Sequence, residues 1–484
     1  MIEGLNFIGG TWVPAHSGAT FTRANPADPT DVIGTFPASG PHDVQRAVDG
    51  LVKAAPDWAD TAPERRAAIL EAAAAQLESR SAELIAELVR EEGKTVAEAT
   101  MEVGRTPSNL RFYAAEATRA SGVTLPAAGD ALVYTLREPI GIVGAITPWN
   151  FPLNIPSRKL GPALAVGDPV LFKPSELTPL MGQRLVEALL AGGLPPGVIA
   201  LVQGDGVAGA AVTADPRIAA ITFTGSTDVG RTIHAHIGPH RRVQLEMGGK
   251  NPVIVAADAD PEYAAALIAK GAFGLSGQAC TGTSRVIVTD ANHDAVVDAL
   301  VARAEAVKVG PGAEPGIDMG ALASAAQYAK FRSYLQAGVA DGATLRCGGG
   351  SVTPGGAAGG YFVRPAVFTG ATPGMRIVDE EVFGPLVAVQ RAGDMDEAME
   401  LANATEFGLS AAIVTNDLSV AQRFARRSRT GLVKINQPTT GMAMNAPFGG
   451  YKASSAGTFK EQAGASMMEF YLNEKTVYLN PSTP

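Results

Sequence analysis

Cys280 stands in the uncharged, glycine-rich run Gly277-Gln278-Ala279-Cys280-Thr281-Gly282 and is one of only two cysteines in the chain. A thiol in such a run can be a small buried hydrophobe, a metal ligand or a nucleophile. A nucleophile needs its proton removed or its thiolate stabilised, and histidine is the usual base. The six histidines (His16, His42, His234, His236, His240 and His293) fall in no recognisable catalytic motif. No Cys/His spacing suits a zinc module, so no metal is expected.

Other side chains supply alternatives. Glu246 closes the apolar run Val243-Gln244-Leu245 and precedes Met247, Gly248 and Gly249. A carboxylate there is costly to bury unless it is used or paired, so it reads as a general base or as a structural acid. Asn150 follows Trp149 at the end of another apolar run. Its amide can stabilise a developing oxyanion, or simply hold a turn. Lys173 and Glu176, in Phe-Lys-Pro-Ser-Glu, sit at a further strand end, where parallel sheets bind ligands. They can grip ribose hydroxyls or form a surface ion pair. In FTGSTDVG (223–230), Gly225 lets a phosphate approach the backbone and Ser226 can donate to it at a helix N-terminus. GDGVAG (204–209) has dinucleotide-fingerprint spacing, but no acid ends the next strand to take the ribose, since Asp228 lies beyond the turn. It reads as an ordinary strand–helix junction.

These groups need elements to position them. Apolar strand-like runs at 140–146, 169–175, 197–203, 219–226 and 242–249 alternate with helical stretches such as 179–193. Such alternation predicts a mostly parallel sheet covered on both faces. The pattern restarts after about residue 250, with strands at 284–290, 384–390, 408–417 and 431–437. Two α/β domains are therefore expected. Thr61-Ala62-Pro63-Glu64 reads as a capping box before a long helix pattern broken near Gly93. Residues 118–138 and the tail 469–481 fit neither pattern. Extended segments of that kind often pair with another subunit.

Composition narrows the function classes. The chain has 484 residues, 46% hydrophobic and 18% charged, enough for a large core and against disorder. A net charge of −9 argues against nucleic acid or an anionic membrane as the main partner. Two cysteines build no disulfide framework, and the opening MIEGLNFIGGTWV has no apolar signal-peptide core, so a cytoplasmic location is expected. The uncharged stretch 139–157 is broken by prolines and makes a poor membrane helix.

ITPWNFP, KPSE, FTGST, LEMGGK, GQxC, EEVFGP (380–385) and PFGGYKAS (447–454), in that order, resemble the aldehyde dehydrogenase superfamily over nearly the whole chain. The resemblance implies two Rossmann-like parallel-sheet domains and a small β oligomerisation flap. Residues 1–117 and 139–247 would bind the dinucleotide and 248–455 would carry the thiol. Residues 118–138 and 456–484 would bridge subunits of a homodimer or homotetramer. Cys280 would attack the aldehyde to give a thiohemiacetal, with the oxyanion held by the Asn150 amide and the Cys280 N–H. Hydride transfer to NAD(P)⁺ would leave a thioester, and Glu246 would activate the water that hydrolyses it. A glutamate at this place favours release of a free acid over transfer to coenzyme A. The implied cofactor contacts are Thr147, Trp149, Lys173, Ser175, Glu176, Gly225, Ser226, Val229, Glu381 and Phe383. Glu176 should repel a 2′-phosphate and favour NAD⁺, while Lys173 and Ser175 leave NADP⁺ open.

The implied substrate contacts are Phe151, Asn154, Arg158 and Thr281. Arg158 is the informative one, because a guanidinium in a substrate tunnel should be matched by an anion, unless a protein acid pairs with it. With the tail MEFYLNEKTVYLNP, it points to a carboxylate-bearing semialdehyde and looks closest to the subgroup acting on 2-oxoglutarate semialdehyde (2,5-dioxopentanoate). The rival readings are a broad aliphatic or aromatic aldehyde dehydrogenase and a non-catalytic dinucleotide-binding protein of the same fold.

Overall fold

The computed structural model describes residues 1–354, 359–456, 459–461 and 465–480, with Ala465 and Ser466 as backbone only. Parts of the predicted 456–484 segment therefore lie outside the described residues.

Five buried parallel strands form the first sheet: β1 (Val143–Ile146), β2 (Val170–Lys173), β3 (Ile199–Leu201), β4 (Ala220–Thr224) and β5 (Arg242–Glu246). Their order is β5-β4-β1-β2-β3. They read as continuous apolar runs because both faces are covered. Leu171 joins the apolar cluster on one face while its neighbour Phe172 joins the other. Full burial of a ring such as Phe172 contributes roughly 2–3 kcal/mol. The strand order reverses between β1 and β4, so the covering helices leave in opposite directions and a crevice opens at the carboxyl ends. Antiparallel strands close both edges: Asn6–Ile8 pairs with β3, and Ser455–Ala456 with β5.

The second sheet holds six parallel strands: β6 (Asn251–Val255), β7 (Thr283–Thr289), β8 (Ala366–Thr369), β9 (Leu386–Ala392), β10 (Ser410–Val414) and β11 (Leu432–Ile435). Their order is β8-β9-β7-β6-β10-β11, with Thr344–Cys347 antiparallel at the β8 edge. Four residues, Met247 to Lys250, join the end of β5 to the start of β6. The carboxyl edge of the first sheet therefore faces the amino edge of the second. Cys280 sits on that amino edge, just before β7.

Four helices matter for the site: α1 (Val96–Ala117), α2 (Asn154–Val166), α3 (Gly206–Ala214) and α4 (Thr227–His236). The preceding helix Ser81–Glu92 stops at Gly93, whose φ of 93° turns the chain where a side chain would be strained. A true capping box then starts α1, with Thr95 Oγ1 accepting from the Glu98 N–H and Glu98 accepting from the Thr95 N–H. The box predicted at Thr61 and Glu64 does not form. Ala62 is the N-cap of helix Pro63–Ser79, and the Thr61 hydroxyl turns back to donate to the Asp57 carbonyl. The preceding helix ends at Ala59, and its last turn captures the hydroxyl first.

The two unplaced segments pair with each other. Leu132–Pro139 and Leu472–Leu479 form an antiparallel ladder, joined at one edge by Thr124–Leu125. A three-stranded sheet at residues 2–37 lies outside the predicted pattern, because its strands are half-exposed and the longest, Asp28–Pro37, carries two prolines and a glycine. Among the described residues, no helix is long and apolar enough to cross a membrane.

Candidate active site

A cavity of about 970 Å³ fills the crevice at the β1–β4 switch point. Each element delivers its residue at a strand end. Thr147, Trp149 and Asn150 follow β1, while Lys173, Ser175 and Glu176 end or follow β2. Gly225, Ser226 and Val229 follow β4, and Glu381 and Phe383 reach in from the second domain. Cys280 borders the same cavity.

The fine geometry suits a dinucleotide. Lys173 Nζ and Glu176 Oε2 are 3.6 Å apart, and Ser175 donates to that carboxylate at 3.4 Å. Ser226 is the N-cap of α4 and its side chain caps none of the first-turn amides, leaving that helix end open to an anion. The hydroxyls of Thr147 and Thr227 are buried without a protein partner among the described residues. By contrast α3, which begins inside GDGVAG, is capped by Asp205, whose carboxylate accepts from the Val207 N–H at 2.9 Å. Its flank nevertheless lines the cavity through Gly209 and Ala210. Glu381 accepts from the Gly249 N–H at 3.0 Å, and a Cβ on Gly248 would clash with that carboxylate. The glycine pair after Met247 is thus set by close approach. Phe383 has a φ of 56° and packs edge-on against Trp149, with centroids 5.4 Å apart. Gln327 holds this strained turn by donating to the carbonyls of Val382 and Phe383.

The thiol is half-buried in the cavity wall. Burial pushes Cys280 up to about 12; Arg158 opposes this, while Glu381, Glu461 and Glu246 add to it. Asn251 pins the thiol's own backbone by donating to the carbonyls of Cys280 and Gly282. Asn150 is buried and its Nδ2 donates to the Gln278 carbonyl at 2.9 Å, which points the amide at the cysteine loop. Thr281 is buried beside it. Glu246 does not touch Cys280. Its carboxylate accepts from the Gly450 N–H at 3.1 Å and the Ser455 hydroxyl at 3.0 Å. Burial, then the Glu461 charge, pushes Glu246 up to about 8.

Arg158, Asn154 and Phe151 lie away from the cavity, on and before α2. Arg158 is buried, 3.3 Å from Glu461 Oε1, and its guanidinium lies over the Phe448 ring. Asn154 Oδ1 accepts from Asn109 of α1 at 2.7 Å. Phe151 lies under Lys94 Nζ, 5.1 Å from its ring centre.

Sequence reasoning missed two groups. Lys159, next to Arg158, donates to Glu461 Oε2 at 2.8 Å and Thr222 at 3.0 Å. Burial pushes Glu461 up, but Lys159 and Arg158 outweigh it and hold the carboxyl below its ordinary value. The second group is a polar stripe along α1. Glu98 accepts from the Leu275 N–H at 2.6 Å, and Glu102 from the amides of Leu153 and Asn154 at 2.9 and 3.1 Å. Residues 98, 102, 105 and 109 share one helical face. That spacing was the available signal.

The chain belongs to the aldehyde dehydrogenase family, whose sequence profile matches residues 12–477. It is an NAD(P)-dependent enzyme that oxidises aldehydes. Over 472 residues it is 42% identical to a 2,5-dioxopentanoate dehydrogenase of Saccharolobus solfataricus, covering 96% of this chain and 97% of that one. It is 41% identical to an alpha-ketoglutarate semialdehyde dehydrogenase of Haloferax volcanii, covering 98% of each. The structure of an NAD-dependent aldehyde dehydrogenase from Sinorhizobium meliloti superposes with a TM-score of 0.95 at 36% identity, covering 100% of this chain and 96% of that one.

Proposed function

We propose that the enzyme oxidises an aldehyde carrying a distal carboxylate, 2-oxoglutarate semialdehyde in particular, to the free acid. The observation that carries the reading is Arg158, a buried guanidinium whose charge acts on the Cys280 thiol more strongly than any other single charge. The names of the Saccharolobus and Haloferax relatives support the same substrate.

In this mechanism Cys280 gives up its Sγ proton to cavity water, a loss that the positive charge of bound NAD(P)⁺ would favour, and the sulfur bonds to the carbonyl carbon. The oxygen takes up negative charge between Asn150 Nδ2 and the Cys280 N–H. Lys173 and Glu176 hold the adenosine ribose, the open α4 N-terminus with Ser226 holds the pyrophosphate, and Glu381 and Phe383 orient the nicotinamide end. Bound NAD(P)⁺ supplies the hydride acceptor. A thioester on Cys280 remains. Glu246 removes a proton from water, the water oxygen bonds to the acyl carbon, and the Cys280 thiolate leaves. Because Glu246 rests on Gly450 and Ser455, it acts on a water rather than directly on the sulfur.

Residues 1–117 and 139–247 act as the cofactor domain, and 248–455 as the thiol domain. Among the described residues, the sheet built from residues 124–139 and 472–479 keeps one long strand edge unpaired, which supports a homodimer or homotetramer. Glu176 at the ribose favours NAD⁺. The two free cysteines support a cytoplasmic setting.

One observation favours a broader aldehyde range: Arg158 already faces Glu461. Initial rates with 2-oxoglutarate semialdehyde and with hexanal separate the readings. A kcat/KM at least tenfold higher for the acid, worth about 1.4 kcal/mol, supports the clamp. Equal or reversed preference sinks it and leaves the thiol chemistry standing.

A further inference from the structure

We propose that Arg105 is a second specificity-determining guanidinium that, with Arg158, receives the distal carboxylate of the substrate. This inference rests on the acidic-aldehyde reading above and assigns a residue that the motifs did not single out.

Arg105 lies on the polar face of α1, and Arg158 on the adjoining α2. Both converge on one residue of the segment that crosses them: Arg105 donates to the Met442 carbonyl at 2.9 Å, and Arg158 to Met442 Sδ at 3.0 Å. Two guanidinium groups on one residue repel. Burial, then the Arg158 charge, hold the Arg105 pKa below the ordinary guanidinium value. No carboxylate among the described residues makes an ion pair with Arg105. Glu461 does not neutralise it, because its two oxygens are divided between Arg158 and Lys159. Glu246 is raised to about 8 and is mostly uncharged at neutral pH. Among the described residues, Glu461 is the acid that pairs with Arg158 and Lys159, and Arg105 adds a third cation to this group with no acid paired to it.

An arriving carboxylate meets this imbalance directly. Arg105 is partly exposed, so it keeps a hydrated approach, whereas Arg158 is buried and its charge acts on the Cys280 thiol. A guanidinium presents a planar fork of donors, so two of them can share the oxygens of one carboxylate. The Met442 carbonyl holds the Arg105 fork in place before substrate arrives, which lowers the ordering cost of binding.

The test compares wild type, Arg105→Gln and Arg105→Lys with 2-oxoglutarate semialdehyde and hexanal. Wild-type selectivity is measured first: without a preference for the acid, the acidic-aldehyde reading itself fails. Given that preference, Arg105→Gln should raise KM for the acid at least tenfold, leave its kcat within about threefold and change hexanal kcat/KM less than threefold. Arg105→Lys should recover part of the lost affinity. A second readout needs no turnover. Glutarate should protect Cys280 from iodoacetamide in wild type and require at least tenfold more ligand in Arg105→Gln. If selectivity and glutarate protection both survive the substitution, Arg105 has no part in carboxylate recognition. Equal losses on both aldehydes would make it a packing residue and overturn the proposal too.

Discussion

Lys94 Nζ donates to the backbone carbonyl of Asn150 at 2.9 Å, so a buried ammonium fixes the loop that carries the amide proposed as an oxyanion donor. The same ammonium pairs with Glu102 at 2.6 Å, and Glu102 in turn takes the amides of Leu153 and Asn154. Glu98, one turn earlier, takes the Leu275 N–H in the loop before the thiol. One end of α1 therefore braces both the Asn150 loop and the loop before Cys280, the two halves of the proposed oxyanion site.

Replacing Lys94 with Met leaves Glu102 and Glu92 as buried acids without their cation. Breaking a buried pair on one side costs about 3–5 kcal/mol. Urea unfolding should show a loss of that size, and kcat should fall more than KM rises because the Asn150 loop relaxes. An unchanged urea midpoint would show that the brace carries no stability.

Asn150→Ala removes one donor of the proposed oxyanion hole. A fall in kcat of roughly 10²–10³, about 3–4 kcal/mol, is expected, with KM little changed. Alkylation of Cys280 by iodoacetamide creates no oxyanion and should proceed at near wild-type rate. Parallel loss of alkylation would mean the substitution had damaged the thiol loop.

In the proposed hydrolytic role Glu246 must be ionised to take a proton from water, yet it is raised to about 8 from an ordinary value of 4.5. The protonated, inactive form dominates below that value. Thioester hydrolysis should therefore rise with pH through about 8 and level off above it. Glu246→Gln should abolish this limb, lower steady-state kcat by roughly 10²–10⁴ and spare the first burst of reduced cofactor. Stopped-flow absorbance of reduced nicotinamide separates the two phases. Loss of the burst itself would remove Glu246 from the hydrolytic role.

Glu176→Gln tests cofactor choice. Removing a carboxylate beside the proposed ribose site should relieve repulsion of a 2′-phosphate, while Lys173 keeps its cation there. The ratio of kcat/KM for NADP⁺ over NAD⁺ should rise by about tenfold, equivalent to about 1.4 kcal/mol. An unchanged ratio would place the discrimination elsewhere.

The sequence by itself determined the alternation of buried strands and helices, because a strand covered on both faces must be apolar along its length. It also determined which short motifs end those strands, and their order identified the family. Glu246, Asn150 and Cys280 were legible because each breaks an uncharged or apolar setting with a reactive group. Only the tertiary structure decided what those groups face. Nothing local reveals that Glu461, more than 200 residues after Glu246, would raise its pKa while dividing its oxygens between Arg158 and Lys159. Nor does it reveal that Thr61 would bond backwards instead of capping, since the competing acceptor belongs to the preceding helix. Glu98, Glu102, Arg105 and Asn109 belong to no motif in the sequence, and their spacing alone fits the solvated face of an ordinary helix. Their role appears only once α1 lies against α2 and the thiol loop, because a hydrogen bond depends on distance in space and a sequence records only distance along the chain.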